Sequence, residues 1–153
     1  MDPFFKDYYD RLSELHHDLA ATIDGLPIEA LDWAPGPDIN SLSVLVAHTA
    51  GSERYWIGEV AGEDQAGRDR PQEFETNGRT AEELQELLER TLAHSRMVLS
   101  GLSLDNLAEA RVASLQGRSC TVAWALLHAL EHTAVHLGHA HIGHQWWDQV
   151  RQA

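Results

Sequence analysis

Apolar residues recur at helical spacing in four segments of the 153-residue chain, and no segment sustains a period of two. In the first, Phe5, Leu12, Leu19 and Leu26 form one heptad row, with Tyr8, Leu15 and Thr22 in the row beside it. Asp2 and Pro3 supply an N-cap and a first-turn proline, and Gly25 and Pro27 end the pattern, so helix 1 is expected over about residues 3–25. The stretch "LPIEALDWAPGPDINS" holds three of the five prolines and reads as a connection with room for one short helical turn. Asn40 or Ser41 can then cap helix 2, whose apolar stripe is Leu42, Leu45, Val46, Thr49, Trp56, Ile57 and Val60. Residues 61–79 are polar and rich in Gly and charge: a long loop of the kind that covers the mouth of a site.

Thr80 and Glu83 have the spacing of a capping box, and Leu84, Leu87, Leu88, Thr91, Leu92, Val98 and Leu99 carry helix 3 to Gly101. Residues 103–119 form a second connection, with Arg111–Leu115 briefly extended, and helix 4 runs from near Thr121 to about Trp147. Four long helices without paired strands predict an all-α four-helix bundle, one domain over residues 1–153.

Charge narrows the partners. With 24 acids against 11 bases the net charge is -13, which argues against a nucleic-acid backbone or an anionic membrane surface. The lone Cys120 cannot form an internal disulfide, the N-terminus has no signal-peptide pattern, and no apolar run approaches the roughly 20 residues a membrane span needs. A soluble cytoplasmic protein acting on a small molecule is the expectation. The basic residues are ten Arg and one Lys, the bias of a GC-rich genome.

Six of the ten histidines fall in "LLHALEHTAVHLGHAHIGH". His132 and His136 are four apart, on one face of helix 4, the arrangement by which two imidazoles from a rigid element hold one metal ion. His128 and His139 lie one turn before and after on nearly the same face, so spacing alone leaves the pair open. That face also carries Ala125, Ala129, Val135 and Gly143, while Leu127, Leu130, Ala134 and Leu137 point the other way. One side suits burial and the other a subunit contact. A third ligand should come from another helix. His48 sits on the margin of the helix 2 stripe, where a neutral imidazole is costly unless both nitrogens find partners. The plainer reading makes it a hydrogen-bonded core histidine.

Of His16 and His17 at most one faces inward, and His94, His141 and His144 read as marginal or helix-end residues. Glu131, beside His132, and Glu53 can orient ligands or move protons, although charged residues on long helices are more often solvated. Arg68 and Arg70 in the long loop have the fork geometry to grip a substrate carboxylate. There is no Gly-rich phosphate loop and no Gly-x-Ser-x-Gly elbow.

Together, "NSLSVLVAHTAGSERYWIGEVAGE" and "LHALEHTAVHLGHAHI" resemble the DinB/YfiT-like superfamily of metal-dependent enzymes, in its mycothiol-transferase-like branch. The resemblance extends over nearly the whole chain, including "GLPIEALDWAPGPDINS" and "RDRPQEF". It implies a four-helix bundle with long crossover connections, often a homodimer, with one divalent metal held by three histidines. On this chain the ligands it implies are His48, His132 and His136; from their positions in the sequence, His128, His139, Glu131 and Glu53 are the candidates for contacts to those ligands or to substrate. It further implies zinc, or nickel or iron, and a low-molecular-weight thiol of mycothiol or bacillithiol type coupled to a small electrophile. Three neutral ligands leave a coordination place open, where an ion can stabilise a thiolate or bring the pKa of bound water to about 7. The resulting expectation is a metal-dependent thiol S-transferase. The alternatives are a hydrolase using metal-bound water and a non-catalytic helical dimer stapled by metal.

Overall fold

Asp2 accepts a hydrogen bond from Phe4 N at 3.0 Å and Pro3 opens helix α1 (Pro3–Ile23). The computed structural model describes residues 1–65 and 67–152. A short α2 (Ile28–Leu31) follows, then α3 (Leu42–Glu53), capped by Ser41. α3 continues without a break into a π-helical stretch over Arg54–Ala61, where Gly62 N bonds to Ile57 O, five residues back, at 2.9 Å. α4 (Arg70–Phe74) is capped by Asp69, α5 (Ala81–Gly101) carries the Thr80/Glu83 capping box, and α6 runs over Val122–Gln152.

α1 packs on α5 and α6, and α3 with its π-helical extension packs on the same two helices, so α5 and α6 each bridge α1 and α3. Two apolar clusters fill the interior. One gathers Phe5, Tyr8, Leu12, Tyr55, Trp56, Leu99 and Leu126. The other gathers Leu15, Leu19, Leu42, Leu45, Leu84, Leu88 and Leu137. Between them along the helices lie buried polar residues, among them His16, Thr49, Glu53, Thr91, Ser95 and Thr133.

The molecule is mostly helical but not strictly all-α. β1 (Ala110–Ala113) pairs antiparallel with β2 (Arg118–Thr121), Arg111 standing opposite Cys120. The expected extended stretch thus finds a partner that a search for period-two runs cannot see, because each strand has four residues. Gly117, at φ +62°, makes the turn, and Tyr55 ties it down by donating to Gln116 Oε1 and accepting from Leu115 N. The expected long loop over 61–79 contains α4, started by the Asp69 cap and Pro71.

Helix α6 also corrects the wheel. Its buried face is Val122, Ala125, Leu126, Ala129, Thr133, Leu137 and Ala140, while Leu127 is 63% exposed. The histidines therefore flank the core face instead of standing opposite it, because the alanines beside them are what the neighbouring helices cover.

Candidate metal centre

His48 comes from the middle of α3, and His132 and His136 from successive turns of α6, the helix α3 packs against. Helix–helix packing therefore brings together nitrogens 84 residues apart: His132 Nε2 lies 3.2 Å from His48 Nε2 and 3.2 Å from His136 Nε2. Ligand atoms from all three fall within 4.8 Å of one another, and among the described residues this is the one His/Cys/Asp/Glu group of three or more so placed. His48 is buried and the other two are half-buried.

The arrangement fits a divalent cation. Two nitrogens bonded to one ion at about 2.1 Å stand about 3.2 Å apart when they subtend about 100°. Without a cation the cluster is poorly satisfied. His48 Nδ1 meets the Glu73 carboxylate at 2.8 Å, so that nitrogen carries the proton and Nε2 presents a lone pair to His132. A proton on His132 Nε2 can serve only one of its two neighbours. His132 Nδ1 is buried and makes no hydrogen bond.

His132 and His136 are held neutral. Burial, then His136, His48, His128 and Arg68, bring His132 down to about 3. Burial, then His48 and His139, bring His136 down to about 4. Because unfolded histidine titrates near 6.5, the unfolded chain binds more protons than the folded one between about pH 6.5 and the folded values, and stability falls as pH falls through that window. Metal-free protein is therefore expected to melt at lower temperature at pH 5 than at pH 7. A His132→Ala/His136→Ala double variant should lose part of that dependence, and equal pH shifts in both proteins by scanning calorimetry would refute it.

Glu73 is the group that sequence reasoning missed. Arg68 grips it in a fork, Nε to Oε1 at 2.6 Å and Nη2 to Oε2 at 2.8 Å, with both side chains buried. Burial pushes the Glu73 carboxyl up, but hydrogen bonds from Arg68 and His48, and their charge, more than offset it and hold the group below the usual value. Arg68 is thus bonded within the protein instead of standing free in the loop. Arg70 lies over the Phe74 ring at 4.8 Å, and Phe74 packs on His48 with ring centroids 4.8 Å apart. The signal available was the Asp69 and Pro71 helix start, which places Glu73 on a turn and not in open loop.

The remaining candidates divide. His139, although exposed, turns Nδ1 to 3.3 Å from His136 Nδ1. His128 stacks on Trp124 and meets Trp56 edge-on, its ring 5.8 Å from His132. Burial holds it below its ordinary pKa. Glu131 is exposed, so its solvated reading stands. Glu53 is neither solvated nor directed at the cluster: it is 1% exposed and accepts from His16 Nε2 and Ser95 Oγ. Beside His139 opens a groove of about 360 Å³, lined by Ile39, Leu45, Ile142, Gly143 and Trp146 among others.

A family model described as mycothiol-S-transferase matches residues 9–149. The chain belongs to the mycothiol-S-transferase family. Membership in this DinB/YfiT-like family carries the expectation of metal-dependent, thiol S-transferase-like chemistry to a chain whose three imidazoles meet. A conserved protein from Enterococcus faecalis has the same fold, with TM-score 0.73 and 16% identity over 95% of this family member and 97% of that chain. A comparison with curated proteins finds no significant match. No helix among the described residues is long and apolar enough to cross a membrane.

Proposed function

We propose that this chain is a cytoplasmic thiol S-transferase in which His48, His132 and His136 hold one divalent ion, zinc before nickel or iron, and a thiol of mycothiol or bacillithiol type is joined to a small electrophile. The observation that carries the reading is the convergence of three imidazole nitrogens, with no fourth His, Cys, Asp or Glu joining the group among the described residues. Three protein donors leave a place for an outside ligand, where four would favour a structural staple. When bound, the ion supplies Lewis acidity that lowers a thiol's pKa toward neutrality. The protein's own part is to keep His132 and His136 unprotonated and to present the three nitrogens together. The apolar groove beside His139 suits the body of the electrophile. Its sulfur–carbon bond forms as the leaving group departs with its electron pair and the thiol proton passes to solvent. We further propose that the four long helical segments make the DinB/YfiT-type four-helix bundle. Homodimerisation would use the exposed Leu127 and Val135 of α6.

The test uses protein purified without an affinity tag and loaded with zinc, offered mycothiol and an activated aryl halide. Thiol loss and conjugate formation are expected, abolished by chelation and restored by metal. Turnover of an ester or amide without thiol would favour the hydrolase. Tight metal binding with no turnover of mycothiol, bacillithiol or cysteine would favour the staple.

A further inference from the structure

We propose that Glu73 is a positioning residue of this centre: it holds His48 in the tautomer that turns an Nε2 lone pair toward His132 and His136, with Gly51 admitting the carboxylate and Arg68 holding it. The inference rests on the three-histidine reading above and names a residue that histidine spacing does not supply.

The geometry begins with Gly51, three residues after His48 and so beside it on α3. A Cβ at Gly51 would stand 2.1 Å from Glu73 Oε1 and 2.6 Å from its Cδ. No side chain but hydrogen allows the carboxylate to lie there. Pressed against the helix, Glu73 reaches His48 Nδ1 at 2.8 Å and has no freedom to turn away, since Arg68 engages both its oxygens. Arg68 Nη2 also comes within 3.4 Å of the same His48 nitrogen, but it bonds Glu73 at 2.8 Å and has no lone pair to offer. The carboxylate is the acceptor, so Nδ1 is the protonated nitrogen.

The other two imidazoles have weaker support. His136 Nδ1 faces only the exposed His139, and His132 Nδ1 has no partner. Orientation of the one ligand from α3 is thus the step at which a buried ion pair contributes to the centre. A carboxylate behind a ligating imidazole both selects the tautomer and strengthens the donor, and losing such a partner typically costs 10–100-fold in metal affinity. A merely structural Arg68–Glu73 pair would leave the tautomer of His48 untouched.

Two variants test it, Glu73→Gln and Gly51→Ala, the second keeping the Glu73 carboxylate but displacing it. Nitrogen-15 NMR of metal-free protein reads the His48 tautomer, and competition titration with Zn²⁺ reads affinity, with circular dichroism confirming the fold. In wild type we expect a single Nδ1–H tautomer. In each folded variant we expect a mixture and zinc binding about 10–100-fold weaker. Wild-type affinity together with an unchanged tautomer in either folded variant overturns the proposal. If wild type binds no zinc, the metal reading fails, and the tautomer shift alone still decides what Glu73 does to His48.

Discussion

Replacing His48 or His136 by alanine is expected to abolish stoichiometric metal binding while leaving most of the helix content in place. Either change takes one of three donors from the cluster and leaves two, and removing a ligand should exceed the 10–100-fold that an outer-shell change costs. The fold should survive because its stability resides elsewhere, in the two apolar clusters built from α1, α3, α5 and α6. His136 is only half-buried, so its truncation is the gentler of the two, and His48→Ala also strands the Glu73 carboxylate that its Nδ1 serves. The contrast that gives the test its force is His128→Ala. That ring stacks on Trp124 and stands outside the three-histidine group, so its loss should leave the metal-to-protein ratio at wild-type level. Elemental analysis of untagged protein, with far-ultraviolet circular dichroism alongside, reads both quantities. Equal metal in His48→Ala and wild type would rule out the ligand assignment.

What the sequence made legible follows the range of each interaction. The caps at Asp2, Ser41 and Thr80 are local, set by a side chain and a backbone N–H two or three residues on, and all three helices start where those residues stand. The i, i+4 pair on α6 is likewise local. That His48 would meet it depends on packing between α3 and α6, which spacing can suggest but not establish. Its place on the helix stripe makes His48 a candidate and the resemblance adds it to the ligand set, while the 3.2 Å approach to His132 is the structure's own observation. Glu73 lay beyond reach because its importance arises from three contacts, with His48, Arg68 and Gly51, none of which a periodicity records. The hairpin was missed for a related reason: strands of four residues carry too few alternations to register as a period. Glu53 was misread in the opposite direction. A carboxylate on a long helix is usually solvated, and only the positions of His16 on α1 and Ser95 on α5 reveal that this one is enclosed.

That enclosure predicts a large stability effect. Glu53 accepts from His16 Nε2 at 2.5 Å and from Ser95 Oγ at 2.6 Å, and thus joins α1, α3 and α5 in the polar layer between the two apolar clusters. Glu53→Ala removes the acceptor for both donors and leaves a void, while His16 already has a buried Nδ1 without a partner. Leaving two buried donors without an acceptor costs about 1–3 kcal/mol each, together a large share of the roughly 5–15 kcal/mol by which domains are stable. At about 2–4 °C per kcal/mol for a domain of this size, the melting temperature should fall by about 4–24 °C. Glu53→Gln keeps an acceptor for Ser95 and should lose less. Glu131→Ala, at an exposed position, should stay within about 0.5 kcal/mol of wild type. The two functions of buried carboxylates in this chain then separate by experiment: Glu53→Ala, studied cold where it remains folded, should bind metal like wild type, because Glu53 bonds His16 and Ser95 and not the three-histidine group. A Glu53→Ala protein that melts within a degree or two of Glu131→Ala would show that the polar layer contributes nothing to stability.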